Sequence, residues 1–201
     1  MRSYFVKVPR FAKLAYPNAI WGRKTDEGRQ IPMLTIDDGP HPESTRLWMD
    51  VLETHELRGL FFFRGDHSSL YPELVQETRA RGHMVGSHGF LHLNGWRTST
   101  PDYLTDVRRS LDLLETEYFR PPYGKLRWSQ YQEVVKISTL VMWSYMPGDF
   151  DESVTPYHIS SRMEGIGPDD IIVVHDRLEC YHKFHHVWSE CSFVDKIQKF
   201  I

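Results

Sequence analysis

Apolar runs and polar breaks alternate along the chain in the rhythm of a parallel α/β fold. Residues 31–36, interrupted only by Pro32 and Thr35, read as a buried strand that ends in Asp37-Asp38-Gly39-Pro40, two carboxylates and a turn. A helix is expected from about Ser44, with Leu47, Trp48, Val51 and Leu52 on one face. Residues 60–63, Leu-Phe-Phe-Phe, are short and wholly apolar, as in a strand covered on both sides. Pro72 suits the first turn of a helix that runs to Arg81 and is closed by Gly82. Residues 83–87 predict a third strand, leading to His88 and His92, and residues 101–117 a helix carrying Leu104, Val107, Leu111 and Leu114. A fourth strand, Tyr118-Phe119, stops at Arg120-Pro121-Pro122, because two prolines cannot continue a central strand. A helix over 129–138 precedes a fifth strand, 140–143, which ends towards Asp149-Phe150-Asp151. Pro156 begins another helix, and the turn 167–170 precedes a sixth strand, 171–174, ending in His175-Asp176. A last helix is expected within 184–201. The first 30 residues, broken by Pro9, Pro17, Gly22 and Gly28, are expected to wrap the domain.

This alternation predicts a parallel sheet, open or closed. Asp37-Asp38, His88 and His92, Arg120, Asp149 and His175 all follow strand ends, and in a parallel sheet those ends share one face. Neighbouring strand residues point to opposite faces, so Asp37 and Asp38 share one environment only if the strand has ended between them.

At 201 residues one domain (1–201) is expected, its motifs within 31–176. A formal charge of -3 and the lack of a basic run argue against a nucleic-acid-binding surface. No stretch is long enough to span a membrane. The N-terminus mixes Arg2, Lys7, Arg10 and Lys13 into its apolar residues, unlike a signal peptide, so a cytoplasmic location is the default expectation. Cys180 and Cys191 cannot make a disulfide framework. With His182, His185 and His186 they offer soft ligands at irregular spacing, and a solvated loop and helix face is expected there.

His88 and His92, four residues apart, can face one ion if their segment makes a helical turn. Asp38 supplies a third ligand. Two imidazoles and one carboxylate leave positions open for water and substrate, as at catalytic metals, and zinc, cobalt, nickel or iron would all suit this set.

With these residues in place, the chain resembles the NodB-homology polysaccharide deacetylases, carbohydrate esterase family 4, whose five motifs occur here in order. Residues 35–40 resemble the first motif, 88–92 the second, 120–124 the third, 143–150 the fourth and 171–176 the fifth. The resemblance implies a distorted parallel (β/α) barrel, usually of seven strands, one more than the pattern shows. It implies one divalent metal, zinc first, on Asp38, His88 and His92. Asp37 would be the catalytic base, Arg120 would orient it, His175 would be the general acid and Asp149 would tune the neighbouring charges. The Tyr123 N–H would help form an oxyanion hole and Val173 would line the acetate pocket, while Trp96, Tyr123, Trp143 and Phe150 are candidates to border the sugar. The implied substrate is an N-acetylated glycan, with O-acetylated sugars as an alternative; members of the family often act on cell-wall or extracellular glycans.

Three positions depart from the family pattern. Gly89 stands where Ser or Thr normally braces the loop between the histidines, Phe150 replaces Trp, and Ile36 replaces Phe. The competing readings are a metal-dependent hydrolase of a non-sugar amide, a catalytically silent carbohydrate-binding homologue, and a non-haem iron oxygenase using the same ligand trio.

Overall fold

The computed structural model of the protein describes residues 4–22 and 32–190. Its regular elements are β1 (Met33–Asp37), α1 (Ser44–Thr54), β2 (Leu60–Phe63), α2 (Gly65–Leu70), α3 (Pro72–Ala80), β3 (Met84–Ser87), α4 (Thr100–Leu113), β4 (Tyr118–Phe119), α5 (Trp128–Ile137), β5 (Thr139–Leu140), α6 (Pro156–Met163), β6 (Ile171–His175) and α7 (Leu178–Glu190). All six strands are parallel, in the order β5-β4-β3-β2-β1-β6. The two edges are joined by the segment after β5, where Tyr145 bridges to Ile172: its N–H donates to Ile171 at 3.0 Å and its carbonyl accepts from Val173 N–H at 2.9 Å. The result is a curled parallel sheet with flanking helices, a distorted (β/α) barrel.

The fifth strand is shorter than its apolar run predicts, spanning Thr139–Leu140 rather than 140–143. The reason is a side chain. Arg120 Nε and Nη2 donate to the Val141 and Met142 carbonyls at 3.2 and 3.1 Å, so these groups are withdrawn from any strand ladder. The N-terminal segment does wrap the domain here: Ile20 bridges to Val141 and Lys7 to Tyr145. Ile31, the first residue of the expected first strand, lies outside the described residues.

Strand alternation divides the core. Leu34, Ile36, Phe61, Phe63, Ile172 and Val174 join the helix-facing cluster with Trp48, Tyr181 and Phe184, whereas Met33, Leu60, Phe62 and Ile171 join a second cluster on the other face. Thr35, Asp37, Val173 and His175 therefore belong to that second, inner face. Burying each Phe of β2 contributes roughly 1.5–3 kcal/mol.

Two helix ends differ from the sequence reading by more than one residue. α4 stops at Leu113 rather than 117, because Glu115 turns to positive φ and Thr116 N–H closes onto Leu111 C=O. α7 starts at Leu178, not 184, and buries Cys180, which was expected in a solvated segment, together with Tyr181, Phe184 and Val187. Its interleaved His182 and His185 hide that stripe in the sequence. The Tyr181 and Phe184 rings lie 5.4 and 5.6 Å from Trp48. Cys191 and the His186 side chain lie outside what the structure describes. The short helix α2 was not foreseen. No helix among the described residues is long and apolar enough to cross a membrane.

Candidate metal and catalytic centre

β1 ends at Asp37, and Asp38 turns at once to φ 79°. That turn breaks strand alternation and lets two consecutive carboxylates face one site. Both are buried, at 3% and 9% exposure. His92 (φ 56°) and Tyr123 (φ 60°) also adopt the left-handed region. Such conformations cost non-glycine residues roughly 1–3 kcal/mol each, and here all three gather at one end of the sheet.

The trio foreseen as ligands comes together. One atom each from Asp38, His88 and His92 lies within 4.8 Å of the others. His92 Nε2 is 3.2 Å and His88 Nε2 3.7 Å from Asp38 Oδ1. His88 Nδ1 sits 2.9 Å from the Arg120 carbonyl, which can only accept, so Nδ1 carries the proton and Nε2 presents its lone pair. Burial, against the pull of Asp37 and Asp38, lowers this imidazole to about 4 and keeps it neutral. For Asp38 burial alone would act upwards, but the His92 hydrogen bond and the charges of His175, His88 and His92 outweigh it and hold the carboxyl well below its usual range. A lone pair and a carboxylate oxygen facing each other across a gap, both buried, fit a divalent cation between them.

Asp37 is held apart from this trio. Arg120, fully buried, donates from Nη1 to Asp37 Oδ1 at 2.7 Å and to the Thr35 hydroxyl at 2.6 Å, while its guanidinium lies 4.2 Å over the Phe62 ring. Asp37 Oδ2 points towards His88 Nε2 at 3.9 Å.

On the neighbouring strand, His175 is the register partner of Asp37. Its Nδ1 lies 3.0 Å from Asp149 Oδ1 and its backbone N–H donates to Asp149 Oδ2 at 2.7 Å, leaving Nε2 for another partner. Burial would lower the imidazole, but Asp149, aided by Asp38 and Asp37, lifts it to about 9. The Phe150 ring stands edge-on to His175 at 5.0 Å and also meets Tyr4 at 5.2 Å, so an apolar wall survives the loss of the usual indole. Val173 is buried on the same strand, and Trp143 packs against Gly124 with its ring 5.9 Å from the Arg120 guanidinium.

The brace expected from a hydroxyl at position 89 comes from elsewhere. Gly89 has φ 76°, and a Cβ there would meet Asp106 Oδ2 at 2.9 Å. Asp106, from α4, accepts from Phe90 and Leu91 N–H at 2.8 Å each, and Ser87 Oγ accepts from Gly89 N–H at 3.2 Å. Three further residues were given no role in the sequence reading. Asp176 ties the Ser44 hydroxyl at 2.6 Å and that of Thr45, and its N–H donates to Asp37 C=O at 2.7 Å, fixing the loop after β1. Arg177 donates to Asp38 Oδ2 at 2.6 Å, leaving Oδ1 to face the histidines. Lys183 on α7 ties the carbonyls of Asp149 and Asp151 at 3.0 and 2.8 Å. Adjacency to His175 was the available signal for Asp176 and Arg177; Asp106 and Lys183 had none, since only the fold brings them near.

The sequence model of the family described as polysaccharide deacetylase matches residues 24–138, more than half of the chain. The chain belongs to this family. A peptidoglycan-N-acetylglucosamine deacetylase from Bacillus cereus is 27% identical over 154 residues, covering 71% of this chain and 54% of that protein. A chitooligosaccharide deacetylase from Azorhizobium caulinodans is 28% identical over 151 residues, covering 71% and 72%. The chain thus spans about half the length of the first relative. Among solved structures, the fold is shared with peptidoglycan deacetylase PdaC from Bacillus subtilis (TM-score 0.73, 23% identity, covering 87% of this chain and 94% of that one). It is shared equally with a family 4 pseudoenzyme from Bacillus anthracis (TM-score 0.77, 18% identity, covering 91% and 65%). Fold likeness therefore leaves turnover to be argued from the residues.

Proposed function

We propose that the chain acts as one deacetylase domain, a metal-dependent hydrolase that removes acetyl groups from N-acetylated sugars of a glycan. The observation that carries this reading is the convergence of Asp38, His88 and His92 on one point, with Asp37 and His175 at matching register on adjacent strands beside it. Asp38, His88 and His92 would hold one divalent cation, zinc first, and cobalt, nickel or iron also fit two imidazoles and a carboxylate. When bound, the cation supplies Lewis acidity, polarising an acyl carbonyl and acidifying water.

The remaining roles fall to the protein. Asp37, aimed by Arg120, accepts the proton of the attacking water. The Tyr123 N–H donates to the developing oxyanion, a contact typically worth about 3–4 kcal/mol in the transition state. An amine leaves poorly unless protonated, and His175, charged by its pairing with Asp149, delivers that proton from Nε2. Phe150 and Val173 exclude water around the acetyl group, and Trp143 backs the Arg120 side of the pocket.

The test is acetate release from N-acetylated and O-acetylated oligosaccharides by metal-loaded protein. Release from the N-acetyl series, abolished by chelation and restored by metal, is expected. Glycan binding without release would favour a silent binding homologue, and release only from non-sugar amides would favour the other hydrolase reading.

A further inference from the structure

The N-terminal segment lies across the loop that carries Asp149 and Phe150, and it is fastened there more closely than wrapping requires. Val8 N–H donates to Ser144 C=O and Met146 N–H to Val6 C=O, each at 2.8 Å, with Lys7 bridging antiparallel to Tyr145. The chain then brings Tyr4 onto Gly148. Arg162 of α6 donates from Nη1 to the Tyr4 hydroxyl at 3.0 Å and to the Pro147 carbonyl at 2.5 Å, so one guanidinium ties segment and loop together. Gly148 has φ 87°, and a Cβ there would overlap the Tyr4 hydroxyl. Only glycine lets this loop approach the ring so closely.

From Gly148 the fit passes to the pair assigned to proton delivery. The Tyr4 ring meets Phe150 at 5.2 Å, and Phe150 stands edge-on to His175 at 5.0 Å. Asp149, between Gly148 and Phe150, engages the backbone N–H and Nδ1 of His175 with its two oxygens. Residues 147–151 form neither helix nor strand. Their position is set by contacts from outside: Arg162 and Tyr4 on Pro147, Gly148 and Phe150, and Lys183 on the carbonyls of Asp149 and Asp151.

We propose that Tyr4 is a positioning residue of the active site: it seats Phe150 against His175 and thereby holds the His175–Asp149 pair in place for proton delivery. The inference rests on the deacetylase reading and adds to it a part of the chain far from every site motif. Tyr4 acts through Phe150 and touches no reacting atom. Such a role carries weight because a displacement of roughly 1 Å at a reacting group can cost on the order of a hundredfold in rate.

The experiment uses the full-length, zinc-loaded protein and two readouts, acetate-release kinetics and the imidazole NMR signals of His175. Those signals are assigned by their loss in His175→Gln, and Phe150→Leu marks where they move once the neighbouring ring is gone. Tyr4→Ala should lower kcat about tenfold with KM changed less than twofold, and should shift the His175 signals towards their Phe150→Leu position. Tyr4→Phe keeps the ring and should restore kcat to within about twofold of the parent, with the signals in place. Phe11→Ala removes a 70% exposed ring further along the same segment and should leave both readouts unchanged. An unmoved His175 signal in Tyr4→Ala, or an equal loss of kcat in Phe11→Ala, would overturn the inference. Absence of acetate release from the parent, with the His175 shifts as expected, would overturn the deacetylase reading and support the seating of His175 by Tyr4.

Discussion

At the N-terminal ends of β2 and β3, Arg81 reaches Asp50 at 2.6 Å, Glu53 at 2.8 Å and Glu77 at 3.5 Å, and His83 meets Glu53 at 3.2 Å. At the opposite, C-terminal ends of β1, β3 and β6, Asp37, Asp38, His88, His92 and His175 gather in comparable number. In the first cluster every carboxylate faces Arg81, and most of it reaches solvent. The second is buried and leaves the His88 Nε2 lone pair and a carboxylate oxygen aimed at a shared gap. Backbone strain divides the same way. Glu56 and Glu115 take positive φ just past helix ends, where the left-handed turn closes a helix. Asp38, His92 and Tyr123 take it where it aims site groups. Charge alone does not mark a site; unsatisfied, buried and strained charge does.

The largest separation between the two ends should come from chemistry. Asp37→Asn should cost about two to four decades in turnover with the metal retained, whereas Asp38→Asn should lose the metal. Matching metal loss in both variants would show that the two acids are wrongly assigned. Stability should separate the ends next. Arg120→Met leaves Asp37 buried without its partner and should cost about 3–5 kcal/mol in urea unfolding, against about 1 kcal/mol or less for Arg81→Ala in its solvated cluster. Equal costs would erase the distinction.

The pH response sharpens it further. His175 is raised above its unfolded value of 6.5 to about 9, so the stability it contributes is fully present below pH 6.5 and is lost as pH rises through about 9. Activity that needs the charged imidazole falls over the same alkaline limb, and a nearby bound cation moves that limb to lower pH. Asp149→Asn should move it lower still; an unmoved limb would remove His175 as the acid. The smallest effect is expected at the loop brace. Asp106→Asn keeps one acceptor for two N–H groups and should cost about 1 kcal/mol, read as weaker metal retention against a chelator. Unchanged retention would leave Asp106 without a part in holding His92.

Most of the alternation was legible because β2 is wholly apolar, β1 and β6 are apolar but for Thr35 and their polar last residues, and each begins just after a Gly, Pro or acidic residue. The site trio was legible from spacing and order. What escaped depends on the fold. Arg120 shortens β5 by taking the carbonyls of Val141 and Met142, which hydropathy cannot register. α7 is masked by the histidines on its exposed face. Gly89 read as a missing brace, yet Asp106, 17 residues on, supplies it through a helix whose position only the packed sheet determines.

The central claim, that the polar end of this sheet is built around one divalent cation, is tested most directly by crystals of the protein soaked in zinc and measured at the zinc absorption edge. The account predicts one strong anomalous peak at about 2.0–2.2 Å from His88 Nε2, His92 Nε2 and Asp38 Oδ1. No peak among these three atoms, or a principal peak on the histidines of α7, would contradict it.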